Sequence, residues 1–592
     1  MPNVLEIKKL QNPESEALEI ANRFVAWEAA RVKWYENAKE TLENLYATST
    51  KDIYNQTKAT DNTTHIPKIT QIRDMLVTYY LDALFSLPDY IDWEPYDDSA
   101  VSKDARNSMK AMMRQLLIDS EFNKTAEQLV EDYVDYGNAF ATSINVKEFL
   151  KNDIGQNTLY EGPKAIRLDP QNIFFDPLAT SFEKSPKIIR TIKTLGELLA
   201  ESEDNVDCSE EYKKALNEAI NDRRGLRETI GLTNPDLIKD DMCNIAGFST
   251  WHAYYASDVV ELLTFYGDLY DIASNKLQRN RKIVIMDRSK ILLNEPIDDY
   301  GFKCNIFKAG WRDRKDNLWS MSPLDNIKGM QFMIDFLENK RADIFNYLSN
   351  PMFLTRGDVE MPEFLYPGAQ IGLDNDADFK SITPDATALQ ADLYIDRYLA
   401  QMEEMAGTPR EAMGFRTPGE KTAFEVSQLN TAASRLFNKK VHKFEEELLE
   451  PLLTLMFRMF LAQTGKIVKI KVVDQDGVIT FQDVLVDNVM SHGRFVATGS
   501  KTYTEKAKIA QTIMQIYNSG IVADQLVFDW FNPKVIAEAI AYSTGLDKID
   551  GVLKEHARIG AETSLAKQQE FARQQVEETQ VRGIQNAQQG IM

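Results

Sequence analysis

Residues 425–464 place Val426, Leu429, Ala433, Leu436, Val441, Phe444, Leu448, Leu452, Leu455 and Met459 on roughly one face of a helix. At about 1.5 Å per residue this helix extends on the order of 60 Å. Pro451 lies deep inside the pattern. It lacks a backbone donor and its ring crowds the preceding turn, so a bend is expected there. His442 stands among Lys439, Lys440 and Lys443 and reads as a surface residue. A chain of 592 residues can bury several cores, and two to four structural units are expected around this helix.

The segment that precedes it, 406–424, interrupts two helical patterns. Gly407, Gly414 and Gly419 supply backbone freedom, Pro409 and Pro418 forbid continued helix, and Arg410, Arg416 and Lys421 concentrate positive charge in an acidic chain. Upstream lie a helical pattern at 324–349, an excursion at 351–384 and a second helical pattern at 386–405. The excursion carries Pro351, Pro362 and Pro367 together with Asp358, Glu360, Glu363, Asp374, Asp376 and Asp378. It cannot be one helix. Ser322-Pro323 supplies an N-cap and first-turn pair ahead of the helix near Leu324.

This order resembles the portal protein, or head-to-tail connector, of tailed bacteriophages. The likeness covers about 65–520 and is strongest over 311–464, where Trp311 to Asp325 leads into the first long helix. It implies an α+β, mainly helical fold. Residues 1–310 would form the wing, 311–350 the first stem helix, 351–385 the clip and 386–405 the second stem helix. Residues 406–424 would form the tunnel loop, 425–500 the kinked helix and further wing strands, and 501–592 the crown and a C-terminal tail. The resemblance further implies a homo-oligomeric ring, typically of twelve copies, at one capsid vertex of the virion, assembled in the host cytoplasm. Double-stranded DNA would enter and leave through its axis. Gly407, Arg410, Gly414, Arg416, Gly419 and Lys421 would face the DNA. The clip acids Asp358, Glu360, Glu363, Asp374, Asp376 and Asp378 would dock the terminase large subunit and later the tail adaptors, and the major capsid and scaffolding proteins would be further partners. Other virion scaffolds or head-tail adaptors, and a packaging motor or nuclease, remain the alternatives.

Elsewhere the patterns are ordinary. Asn12-Pro13-Glu14 announces a helix running to about Leu45. Residues 48–64 read as a polar loop, with His65 beside it as a loop residue. Helices follow from Ile69 and from about Ser102 to Tyr136. Phe140, Thr142, Ile144 and Val146 alternate as a strand. Asp169-Pro170 and Asp176-Pro177 read as turns rather than as paired catalytic carboxylates. A charged helical insert at 191–230 precedes strands at Val259–Tyr270, Lys282–Met286 and Lys290–Leu293. A hairpin spans 466–486, and helices are expected at Thr504–Tyr517 and 533–558.

Net charge is −22 with pI near 4.9, a sign opposed to tight, sequence-independent DNA binding. In a channel the acidity favours sliding over grip. Cys208, Cys243 and Cys304 lie far apart with no zinc spacing, and His65, His252, His442, His492 and His556 are isolated. Gly493 to Thr502 fails the spacing of a phosphate loop, and no nucleophile elbow or dinucleotide fingerprint is present. No enzymatic activity, cofactor or metal is therefore expected. Met1 to Lys9 lacks the layout of a signal peptide, and Leu452–Ala462, which contains Arg458, is too short for a bilayer. No membrane partner is expected.

Overall fold

In the computed structural model the chain is mixed helix and sheet, α+β. The structure describes residues 5–7, 13–50, 62–85, 90–95, 103–152, 155–204, 210–229, 259–272, 275–297, 300–349, 352–357, 359–360, 372–373, 378–382, 392–406, 437–463, 467–473, 479–485 and 493–498. The chain divides into two compact units, 1–84 with 91–470 and 483–497, and 85–90 with 471–482 and 498–592. The helices expected at 504–517 and 533–558 lie outside the described residues, as do Cys208, Cys243, His252, His492 and His556.

In chain order the elements are β1 (Leu5–Ile7), α1 (Pro13–Ala30), α2 (Val32–Tyr46), α3 (Lys68–Phe85), β2 (Ile91–Pro95), α4 (Lys103–Asp119), α5 (Phe122–Asp135), β3 (Asn138–Asn152), β4 (Gly155–Leu168), β5 (Ile173–Phe175), β6 (Lys187–Thr194), α6 (Leu195–Asp204), α7 (Glu210–Thr229), β7 (Val259–Asp271), β8 (Lys276–Met286), β9 (Lys290–Pro296) and β10 (Ile306–Gly310). Then come α8 (Lys328–Ser349), β11 (Met352–Arg356), β12 (Val359–Glu360), β13 (Gly372–Leu373), β14 (Asp378–Ile382), α9 (Asp392–Ala406), a helix from 437 that becomes α10 (Glu450–Gln463), β15 (Ile467–Val473), β16 (Ile479–Leu485) and β17 (Gly493–Ala497).

The largest sheet runs β5-β6-β7-β8-β9, and β1 pairs in parallel with the far end of β7. Its strands alternate, and both sets of side chains are buried. Leu263, Phe265, Ile283 and Ile285 meet Ala17, Ile20 and Phe24 of α1. Val260, Leu262, Val284 and Met286 meet Leu198 of α6 and Leu216 and Ile220 of α7. The period of two therefore places helices on both faces. A second sheet, β10-β3-β4, contributes Phe140 and Ile306 to an aromatic core with Phe175 and Trp319. Trp319 stacks on Trp34 at 4.0 Å and on Phe175 at 4.6 Å.

Three helical expectations need correction. The first helix breaks at Arg31, whose guanidinium donates to the carbonyls of Pro170, Gln171 and Ile173 and lies 3.7 Å over the Phe174 ring. A distant turn thus decides a local break. The third pattern divides at Glu121, which adopts a left-handed φ of 54° and starts α5 anew. The charged insert starts as strand, because β6 continues to Thr194. There a reciprocal cap forms: Glu197 N–H donates to Thr194 Oγ1 at 3.2 Å, and Thr194 N–H donates to Glu197 Oε2 at 2.9 Å.

The strand expectations at 259–270, 282–286 and 290–293 agree with β7, β8 and β9, and the 466–486 hairpin agrees with β15 and β16. Both Asp-Pro turns form as read. Asp169 Oδ1 accepts from Gln171 N–H, and Asp176 Oδ1 accepts from Leu178 N–H, each at 3.0 Å. Gly137, between α5 and β3, has φ +67°, and a Cβ there would stand 2.4 Å from the Met321 carbonyl carbon. Only glycine lets the 311–322 turn lie this close.

Candidate functional site

The lead-in to α8 is built by its own side chains. Ser322 Oγ accepts from Leu324 N–H at 3.0 Å while Asp325 Oδ2 accepts from Ser322 N–H at 2.9 Å. Ser322 Oγ also donates to Val134 O at 2.7 Å. The N-cap expectation holds, with a 3-10 turn at Leu324–Asn326 before the α-helix begins at Lys328.

Five of the six buried residues of α8 are polar: Lys328, Gln331, Asp335, Asn339 and Asp343, beside Ile334. An ordinary core-facing helix buries apolar groups, so this stripe has a different partner. For Gln331, Asp335, Asn339 and Asp343 the partner is the segment 62–69, irregular up to Pro67 and helical from Lys68, while Lys328 donates to Asn37 O. Asp343 Oδ1 accepts from Asn62 N–H at 2.9 Å and from the Asn62 amide at 2.7 Å. Asn339 receives Thr64 N–H and donates to Thr64 O, both at 2.8 Å. Asp335 Oδ1 accepts from Ile66 N–H at 3.0 Å, and Gln331 donates to Ile66 O at 2.5 Å. Each step of four residues on the helix advances about 6 Å, and each step of two on an extended chain advances about 6.6 Å. The two rows therefore stay in register over three rungs.

His65 lies in the irregular stretch before α3, as read, and it is buried within this seat. Its Nδ1 lies 2.8 Å from Asp335 Oδ2, and the two side chains are 2% and 1% exposed. Nε2 is buried and has no hydrogen-bond partner among the described residues.

α9 returns antiparallel to α8. Arg341 of α8 pairs with Asp392 at the start of α9. Near the other end Lys68, beside the Gln331 rung, pairs with Glu403 at 2.6 Å. Where the hairpin opens toward the excursion, Phe345, Leu393 and Tyr394 are 63%, 78% and 61% exposed. The described residues of the excursion are mostly strand, with β11 paired to β14 and β12 to β13. Asp378 is exposed and sits opposite Arg356, and Glu360 lies on β12 opposite Gly372. Asp358, Glu363, Asp374 and Asp376 lie outside the described residues, as do Gly407, Arg410, Gly414, Arg416, Gly419 and Lys421.

The long helix is described from 437 and contains a π turn, Glu445–Leu449, immediately before α10. The π turn thus lies immediately before the turn that carries Pro451. Within an α-helix the missing Pro451 donor would have met Glu447 O, inside that turn. His442 is half exposed, as expected, 3.4 Å from Glu445.

The 310–320 turn is clamped onto this helix. Lys443 donates to Gly310 O at 2.7 Å and pairs with Asp313, while Gly310 N–H donates to Glu447 Oε2 at 3.2 Å. Lys440 donates to Trp311 O and lies 4.3 Å over its ring, and Trp311 Nε1 donates to the Tyr80 hydroxyl at 3.0 Å. Lys308 donates to Leu318 O and to Ser320 Oγ. Burial pulls Lys308 down to about 8, and burial with Lys443 nearby does the same to Lys440. Burial opposes ionisation of Asp313, yet hydrogen bonds from Lys443 and Ser320 hold it below its usual range. Burial raises Glu447. One turn thereby ties the start of α8 to the long helix through charged groups.

Comparison with protein-family models gives no match, and comparison with curated proteins gives none. Among the described residues no group of three or more His, Cys, Asp or Glu side chains is arranged to hold a metal, and no helix is long and apolar enough to cross a membrane.

Proposed function

We propose that the chain is a portal subunit, forming the DNA channel at a unique capsid vertex through which a phage genome is packaged and later ejected. The observation that carries this reading is the hairpin of α8 and α9 around an excursion whose described residues are mostly strand, followed by a long helix with a π turn. In that reading α8 and α9 are the stem, 351–385 is the clip that docks terminase and tail adaptors, and 406–424 lines the narrowest part of the tunnel. The subunit is a passive conduit, with ATP hydrolysis supplied by the terminase. The exposed Phe345, Leu393 and Tyr394 at one end of the hairpin are apolar surface that a neighbouring copy would cover in a ring.

Electron microscopy of the purified full chain tests the reading. Rings with an axial hole are the expected result, and filaments or monomers alone would overturn it. The double variant Leu393→Asp/Tyr394→Asp should keep the helix content of the wild type and lose the rings.

A further inference from the structure

The acidity of the chain reverses in one cleft. A cavity of about 820 Å³ opens beside the bend where β7 and β8 shift register at Gly267, and it is lined by Lys184, Lys187, Arg279 and Lys303 against Glu183 and Asp268. Four cations face two carboxylates, in a protein of net charge −22.

Three features distinguish this cleft from a solvated surface patch. Lys187 is 1% exposed, and its ammonium donates to Ser185 O at 2.8 Å and lies 4.4 Å over the Phe182 ring. No carboxylate neutralises it among the described residues, and a lysine carries three donors. The other cations come from separate stretches: Lys184 from the turn before β6, Arg279 from β8 and Lys303 from the turn before β10. None of the three is ion-paired among the described residues. Finally, Asp268 is held by the bend, since its Oδ1 accepts Asn280 N–H at 2.9 Å. The bend itself needs Gly267, where a Cβ would stand 2.7 Å from the Pro186 side chain.

Cations gathered around a low-dielectric recess focus a positive potential, and a buried ammonium is best satisfied by an oxygen-rich anion. Arginine adds a planar fork suited to phosphoryl oxygens. The volume lies within the range of small-ligand pockets, roughly 300–1,000 Å³.

We propose that this cleft binds a small anion carrying two or more phosphoryl groups, one seated on Lys187 and the others along Lys184, Arg279 and Lys303. The anion is free polyphosphate or a nucleotide. The backbone of duplex DNA offers the same phosphoryl chemistry, but flanking nucleotides prevent its phosphates from descending to the buried Lys187.

The test is calorimetric titration of the full chain with inorganic tripolyphosphate, with ATP and with a short DNA duplex, in low salt. Tripolyphosphate and ATP should bind, and the duplex should not compete with them. The rim variant Arg279→Glu/Lys303→Glu should weaken both by at least tenfold, as should Lys187→Met. The rim variant changes exposed side chains only, so it decides the matter even if Lys187→Met fails to fold. Lys39→Glu/Arg314→Glu, equal in charge change but distant in sequence, should leave binding unaltered. Absence of binding at millimolar tripolyphosphate, equal loss in the distant variant, or displacement by the duplex would each overturn the proposal.

Discussion

The sheet of β5 to β9 and the seat of α8 are held together by opposite means. The sheet is covered on both faces by apolar side chains of α1, α6 and α7, whereas α8 holds residues 62–69 through Gln331, Asp335, Asn339 and Asp343. Apolar burial is additive and tolerant of exchange among residues of similar volume. A polar row is not, because each acceptor removed strands a buried donor on the backbone it faces. The first region should therefore fail through lost packing, and the second through local release of one segment.

The largest effect is expected in the sheet. Phe174→Ala removes a fully buried ring that packs on Phe24 at 4.4 Å and beneath the Arg31 guanidinium. It should lower unfolding free energy by about 3–5 kcal/mol, measured by urea denaturation. A loss under about 1 kcal/mol would mean that this core collapses around the gap and that the contrast with the polar seat is overstated.

Asp335→Ala comes next. It leaves Ile66 N–H, His65 Nδ1 and one donor of Gln331 without their carboxylate, a loss of about 1–3 kcal/mol. Its distribution matters more than its size. Hydrogen exchange at Thr64, Ile66 and Ile69 should accelerate at least tenfold while the β7 amides keep their protection. Uniform acceleration would show that the seat and the sheet unfold as one body.

This pair of regions also separates what the sequence made legible from what it did not. The strands at 138–146, 259–270 and 282–286 were readable because alternation reports burial directly. The Asp-Pro turns and the Ser322 cap were readable because their chemistry is local. The polar stripe of α8 was not, since Gln331, Asp335, Asn339 and Asp343 look like the solvated face of any amphipathic helix. Spacing records the stripe but not the segment that covers it. The same limit applies to the break at Arg31, which depends on carbonyls some 140 residues away in sequence. At Glu121 no glycine or proline marks the left-handed residue. In the long helix, Pro451 is visible in the sequence but the π turn preceding it is not, and the lysine clamp has only the sequence signal of scattered basic residues.

The clamp supplies an intermediate case, with polar groups buried beside apolar packing. The ammonium of Lys308 is held at about 8, below the 10.5 of a free lysine. The unfolded chain therefore binds more protons between these values, and stability should rise as pH climbs from about 8 toward 10. Lys308→Met should flatten that rise by on the order of 1 kcal/mol. An unchanged slope across pH 8–10 would show that Lys308 is not the group responsible.

The smallest effect is expected where both kinds of contact fix the same helix. A π turn inserts one residue into the α register and so rotates the residues after it by about 100°. If Pro451 alone caused the turn, Pro451→Ala would let it tighten and would carry Leu452, Leu455 and Met459 away from their neighbours. Both sides of the turn are pinned, however. Before it, Phe444 meets Tyr133 at 5.0 Å and Lys443 holds Gly310 O. After it, Thr454 Oγ1 accepts Phe495 N–H at 3.1 Å and Glu450 Oε1 accepts Ala497 N–H at 3.3 Å. Packing therefore sets the register, and the proline is accommodated within it. Pro451→Ala should shift urea unfolding by less than about 1 kcal/mol and leave the exchange rates of the β17 amides Phe495 and Ala497 unchanged. A stabilisation above about 2 kcal/mol, or altered protection at those two amides, would show that the proline had been imposing the turn on the helix.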